Sequence, residues 1–451
     1  EMTSSLVGSE MCIRDRSKGI KSYIGMAHLI IKNIGPINEV EFDLNKINIF
    51  MGPQSSGKST IAKIVSYCAW LEKRVSLEQS FVKYKDDKFV ERLISFHKME
   101  GYIREDSYLE YESDVYKVVY KGLGTSPDFE LKSTRWGYKL EKIAYIPAER
   151  NIISVLPQWS TIKMSDTSTA NFMEDWGNMR ELFTADRPLN ILSLGGKYYY
   201  DKSSNKDYIR LDNGTQIQLF SSSSGVQSVV PLLLLCHTLL NDDLRDELDS
   251  HVSFDNKVIY EELKEIIYRD RFRVNVRRNP DIDAASETFH EGEGVNEHFR
   301  VFLPGEKDLF YQTVDHFTKT QCCDLIIEEP EENLFPDIQQ DFTYYIIREI
   351  LKKEGHKLLI TTHSPYILFA LNNCLMGKLV EKNIPDEKRK EYPSSSAWID
   401  PKLVSIYEIH EGALKCIQDK DGILEDNYLN QAYKMNSTEY LSLLNYYEDE
   451  E

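Results

Sequence analysis

The feature that most constrains this chain is the stretch INIFMGPQSSGKST, Ile47 to Thr60. Five largely apolar, β-favouring residues run into a loop bracketed by glycines, and the loop ends in a lysine followed by two hydroxyls. A G-x-x-x-x-G-K-[ST] loop lets backbone N–H groups point inward at a phosphate, sets a lysine beside it and offers a hydroxyl to Mg²⁺. Gly52, Gly57, Lys58 and Ser59 meet that pattern without a mismatch, and Pro53, Gln54, Ser55, Ser56 and Thr60 complete the cradle. The motif needs a strand before it and a helix after it, because the helix N-terminus adds its dipole to the site. Ile47 to Met51 reads as that strand and Lys58 to Leu71 as that helix. The expected fold class is therefore α/β, built on a mostly parallel central sheet.

Three further segments follow in order: SSGVQS at Ser223 to Ser228, DLIIEEPE at Asp324 to Glu331 and TTHSP at Thr361 to Pro365. Leu325, Ile326 and Ile327 form an apolar run that ends in two carboxylates, Glu328 and Glu329, and then in the strand-breaking Pro330. Neighbouring side chains of a strand point to opposite faces, so the two acids are assigned different tasks. Glu328 is assigned to Mg²⁺ through water, and Glu329 to orienting and deprotonating an attacking water. The competing reading is a solvated acidic loop, since Glu331 and Glu332 continue the charge run, but the apolar strand before them weighs against it. Lys357 to Thr362 is a second apolar strand, and it delivers His363 to its C-terminal end, where open α/β sheets bind ligands. His363 is assigned a hydrogen bond to a terminal phosphate, whereas His237 and His356 read as structural.

Ser223, Ser224, Gly225 and Gln227 precede VVPLLLLCHTLL, the pattern of a buried helix. A hydroxyl and a glycine N–H at a helix start suit a phosphate oxygen. Alone, the segment reads better as a serine-rich cap with no ligand. The order of the four motifs reverses that preference.

Together these segments resemble the ABC-type ATPase head of the SMC, RecF and overcoming-lysogenization-defect class, over Met26 to about Met376. MAHLIIKNIGPINEVEFDLNKINIFMGPQSSGKST resembles the family's opening β-hairpin and P-loop, IEEPEENLFP its Walker B and D-loop, and TTHSPYIL its switch histidine. The resemblance implies a P-loop NTPase with an antiparallel β lobe and a helical lobe. It further implies ATP and Mg²⁺ as cofactors, and a signature motif at Ser223 to Gln227 that acts on ATP held by a second copy. On it, residues 26–150 form the P-loop lobe, 151–320 the helical and signature lobe, 321–376 the Walker B and histidine strands, and 377–451 an extension that completes the head. YIPAERN at Tyr145 to Asn151 stands near the Q-loop position with Glu149 and Arg150 in place of a glutamine. A glutamate also stands at the metal position where aspartate is usual, and its extra methylene loosens Mg²⁺ geometry, so slow turnover is expected.

The implied function is an ATPase that works as an ATP-dependent dimerisation or assembly switch. A stand-alone head of this kind is similar to ATPase subunits of bacterial anti-phage systems, with a separate nuclease or toxin as effector. The alternatives are an ATP-stapled scaffold with little turnover and a DNA-repair ATPase. The net charge of −19 repels nucleic acid globally, while Arg269, Arg271, Arg273, Arg277 and Arg278 form one basic strip. That strip reads equally as a phosphate-backbone contact, a salt-bridged face or a docking site for a protein partner.

The seven cysteines show no C-x-x-C spacing, which argues against zinc and a disulfide framework and for a reducing cytoplasm. No apolar run is long enough to span a membrane. Residues 1–25 include SSLVGSEMCIRDR, which resembles translated sequencing adapter, so the natural start is expected at Met26. Asn279 to Asn296, rich in Gly and Glu, reads as a loop. The segment after Lys378 lacks the acidic set of a TOPRIM nuclease, and Asp419 and Asp421 read as a tight turn.

Overall fold

Parallel strands covered on both faces must be apolar along their whole length, and the sequence supplies such runs only at a few places. The computed structural model, which describes residues 27–156, 159–161, 165–252, 257–272, 287–291, 298–302 and 305–447, builds its main sheet around them. In chain order the strands are β1 (His28–Ile34), β2 (Ile37–Asp43), β3 (Ile47–Met51), β4 (Tyr108–Glu112), β5 (Tyr116–Tyr120), β6 (Asp128–Leu131) and β7 (Glu141–Ile146). Then come β8 (Leu189–Asn190), β9 (Gly196–Asp201), β10 (Lys206–Leu211), β11 (Gln216–Gln218), β12 (Glu287–Glu291) and β13 (His298–Phe302). The last four are β14 (Cys322–Glu328), β15 (Lys357–Thr362), β16 (Val404–His410) and β17 (Ala413–Cys416).

Eleven strands form one sheet in the order β6-β5-β4-β1-β2-β17-β16-β3-β15-β14-β7. From β16 to β7 the pairing is parallel, and both β3 and β14 are buried at every position. Leu325, Ile326 and Ile327 are fully buried, each stabilising the strand by about 1.5–3 kcal/mol relative to exposure. The register sets Ile327 beside Ile146, Glu328 beside Thr361 and Thr362 beside Met51, so the C-terminal tips of β7, β14, β15 and β3 end side by side. Strands β6, β5, β4, β1 and β2 form an antiparallel arm with β1–β2 as its hairpin, and β17, parallel to β2 and antiparallel to β16, joins that arm to the parallel half.

The helix after β3 runs Lys58–Glu78, longer than the expected Lys58 to Leu71, because Val75 and Leu77 stay buried beyond Leu71. It stops where Gln79 turns left-handed (φ 49°) and its N–H closes on the Val75 carbonyl. The segment Tyr198 to Phe220 stands apart from that arm. Its strands β9–β11 join β8 in a separate four-stranded sheet instead of extending the antiparallel arm, because their apolar face (Tyr198, Ile209) packs with the buried Ser224–Leu240 helix. The loop expected over Asn279 to Asn296 contains β12, paired antiparallel with β13. Among the described residues, no single helix is long and apolar enough to cross a membrane.

Candidate functional site

The loop after β3 closes tightly because glycine occupies the two positions where a side chain has no room. A Cβ on Gly52 (φ 151°) would lie 2.3 Å from the Ile409 carbonyl of β16, and one on Gly57 (φ 109°) would lie 2.9 Å from Ile37. Ser55 is also left-handed, at φ 62°. Gln54 and Ser55 are exposed at the crest, whereas Ser56 and Thr60 are buried, and Pro53 lies between. Lys58 is buried and donates to the loop's own carbonyls, Gly52 at 2.9 Å and Pro53 at 2.8 Å. Burial lowers its pKa, and the nearby Glu329, Glu331 and Glu328 carboxylates oppose that shift. The lysine and the acids at the tip of β14 thus share one electrostatic environment.

Glu328 ends β14 and is almost wholly buried. Burial raises its pKa, while the hydroxyls of Ser59 and Tyr145 favour the charged form. Among the described residues its Oε1 has no hydrogen-bond partner. A buried carboxylate oxygen without a partner, beside the P-loop hydroxyl, is a donor set that suits a hard divalent cation. The residues therefore fit Mg²⁺.

The separation of Glu328 from Glu329 has a different cause from strand alternation. The strand stops at Glu328, and Glu329 adopts φ 41°, a left-handed conformation that turns its side chain out of the sheet. Its N–H still bonds the Thr361 carbonyl at 2.9 Å, which ties the turn to β15. The Glu329 carboxylate faces His363, with Nδ1 3.6 Å away. That contact lowers the acid's pKa and raises the histidine's.

Two residues outside the assigned set hold this arrangement. Glu331, to which no role was assigned from sequence, is buried, and its Oε1 accepts from Thr362 Oγ1 and from the His363 N–H, both at 2.8 Å. The same oxygen lies 3.4 Å from His363 Nδ1, so the imidazole stands between two carboxylates. Arg150, which follows β7, is fully buried. It donates to the carbonyls of Glu328, Glu329 and Pro330 at 3.0, 3.0 and 3.1 Å, and at longer range to those of Ser228 and Pro147. One guanidinium therefore fixes the backbone of the acid turn and reaches the helix that carries the signature segment. The sequence signal for both residues was their position: each follows an apolar strand and a proline, where the chain leaves the sheet at the ligand-binding edge.

The signature segment itself lies apart from the P-loop. Ser223 caps the Ser224–Leu240 helix, and Gln227 donates to the Phe220 carbonyl at 2.7 Å. Gly225 sits where a Cβ would come within 3.1 Å of the Asn333 carbonyl, just past the acid turn. Among the described residues no hydrogen bond or ion pair joins Ser223, Ser224, Gly225 or Gln227 to the P-loop.

The histidines read as structural are so placed: His237 Nδ1 lies 3.0 Å from the Tyr345 hydroxyl, and His356 Nδ1 accepts from the Cys323 N–H. Asp419 closes the expected tight turn by accepting from the N–H groups of Asp421 and Ile423, each at 2.9 Å. In the basic strip, Arg269 pairs with Asp270 at 2.8 Å and Arg271 donates to Thr313 at 3.3 Å. Arg273, Arg277 and Arg278 lie outside the described residues.

Comparison with known proteins agrees with this geometry. Residues 318–368, which contain β14, the acid turn, β15 and His363, match the AAA ATPase domain family model. The expected resemblance to an ATPase head is thus borne out over the acid and histidine strands. No curated protein matches the chain. Among solved structures, the SMC head domain from Thermotoga maritima aligns at 10% identity and TM-score 0.35, over 88% of this chain and 99% of its own. The recombination mediator protein RecF with ATP aligns at 12% identity and TM-score 0.28, over 88% and 100%. An ATP-binding cassette of an ABC transporter in its ADP conformation aligns at 9% identity and TM-score 0.28, over 87% and 90%.

Proposed function

We propose that the chain binds ATP with Mg²⁺ at the tips of β3, β14 and β15 and hydrolyses it, using the cycle to switch between separate and paired heads. The observation that carries this reading is the convergence of a P-loop lysine, a buried unpaired carboxylate and a carboxylate–histidine pair at one sheet edge. Gly52 to Thr60 wrap the phosphates, and Lys58 exchanges its two loop carbonyls for phosphate oxygens. Ser59 and Glu328 hold Mg²⁺, which supplies charge neutralisation on the phosphates. Glu329, kept ionised by His363, orients and deprotonates the attacking water. His363 stands ready to bond a terminal phosphate oxygen. Among the described residues nothing bonds Ser223, Ser224, Gly225 or Gln227 to the P-loop, and on this reading their contribution comes from a second copy. On the resemblance alone, the reading extends to anti-phage defence, with the switch acting on a separate nuclease or toxin.

The test is steady-state phosphate release by the chain from Met26 onward, with Glu329→Gln in parallel and particle size by light scattering with and without ATP. Glu329→Gln should lower turnover by about 10²–10⁴ and accumulate an ATP-dependent dimer. Wild-type turnover in that variant would remove Glu329 from the base role. ATP binding without turnover in the parent chain would identify a nucleotide-stapled scaffold instead.

A further inference from the structure

β7 is the last strand of the main sheet, and its flank opens into a cleft of about 310 Å³. That volume lies at the lower end of the roughly 300–1,000 Å³ typical of small-molecule sites. One wall is aromatic. Trp70 and Phe96 stand on neighbouring helices with the Arg92 guanidinium over both rings, 5.1 and 4.9 Å from their centroids. At the floor, His97 is 1% exposed, and among the described residues its Nδ1 has no hydrogen-bond partner. Burial holds that imidazole neutral, with a pKa of about 3. The His97 ring packs edge-on against Tyr145, which lies near Glu328. The opposite wall carries Asn171 and Asn178, seven residues and so two turns apart on one helix face. Among the described residues neither amide has a hydrogen-bond partner, and both residues are exposed and line the cleft.

The charges here are already balanced or repel anions. Arg92 pairs with Asp166 at 2.6 Å and Lys142 with Asp175 at 3.0 Å, while Glu174 and Asp249 stand at the rim. A phosphorylated or carboxylated ligand would meet those acids, while the two cations that line the cleft, Arg92 and Lys142, are already paired. An uncharged flat ring matches the walls instead: its faces against Trp70 and Phe96, its edge donors and acceptors toward His97, Asn171 and Asn178. We propose that this cleft is a second ligand site, distinct from the P-loop, for an uncharged nucleobase or nucleoside.

The test is calorimetric titration of the full chain with adenosine, guanosine, cytidine and uridine, with indole as an aromatic ring that lacks their edge groups. At least one nucleoside should saturate the protein below millimolar concentration and bind at least tenfold more tightly than indole. Asn171→Leu and Phe96→Ala should each weaken that nucleoside about tenfold, the first because it removes an edge partner and the second because it removes a stacking face. Lys58→Ala should leave its affinity within about twofold. The proposal is overturned if no nucleoside saturates, if indole binds as tightly, if neither cleft variant weakens binding, or if Lys58→Ala abolishes it. None of these readouts involves ATP turnover, so failure of the ATPase reading and failure of the cleft are separately visible.

Discussion

Replacing Arg150 with alanine removes a fully buried guanidinium from the carbonyls of Glu328, Glu329 and Pro330. Each charge-assisted bond is worth about 1.5–3 kcal/mol, so the three short ones alone would sum to roughly 5–9 kcal/mol. That sum is too large, because the guanidinium no longer bears its own desolvation and water enters the vacated space. Breaking a buried charged network by deleting one partner costs about 3–5 kcal/mol, and that is the expected loss. Against a total stability of roughly 5–15 kcal/mol the variant is severely weakened. Arg150→Lys supplies the milder arm. It keeps the charge, but one compact ammonium cannot reach the Ser228 carbonyl and three loop carbonyls at once, so a loss of about 2 kcal/mol is expected. Guanidinium chloride unfolding at unchanged m measures both variants, and phosphate release reports whether the acid turn has moved. A displacement of about 1 Å costs on the order of 10²-fold in rate. An Arg150→Ala protein within about 1 kcal/mol of the parent, with unchanged turnover, would refute the claim that this side chain holds the turn.

Lys58→Ala should abolish ATP binding in calorimetry while leaving the circular dichroism spectrum unchanged; retained affinity would contradict the P-loop assignment. Ser224→Arg, on an exposed helix start, should leave ATP binding intact and prevent the ATP-dependent dimer seen by light scattering. The Glu329–His363 contact gives a pH signature whose sign follows from its two shifts. The acid's lowered pKa contributes stability that is present above its ordinary 4.5 and lost as pH falls further. The histidine's raised pKa contributes stability that is full below its ordinary 6.5 and lost as pH rises through the raised value. The stability difference between the parent and His363→Gln should therefore be largest between those two values and shrink above 6.5. It should stay below about 1 kcal/mol, because both groups are partly exposed.

What could be read from the sequence was whatever depends on a run of neighbours. The glycine spacing of the P-loop, the apolar runs of β3, β14 and β15, and the carboxylates and histidine at their ends each carry a local signal. What could not be read depends on contacts between distant segments. Arg150 looked like an altered Q-loop residue, because its bonding partners lie on β14, the acid turn and the signature helix. Glu331 carried no signal of its own beside Glu328 and Glu329, and only the position of β15 shows that it carries the His363 backbone. The same holds for the sheet order, since nothing local to Tyr198 to Phe220 says which sheet its strands join.

The strand next to the P-loop strand is β16, from near the far end of the chain, and its Ile409 carbonyl closes over Gly52. A nascent polypeptide therefore has its phosphate loop early and the wall of that loop last. Contacts of such high sequence separation form late, and until they do the β3 edge is bare and open to wrong pairing. Any chain halted before Val404 would carry all four motifs and still lack the neighbour that closes over the first of them. On the proposed function, a head able to hold nucleotide is then one whose synthesis has passed β16.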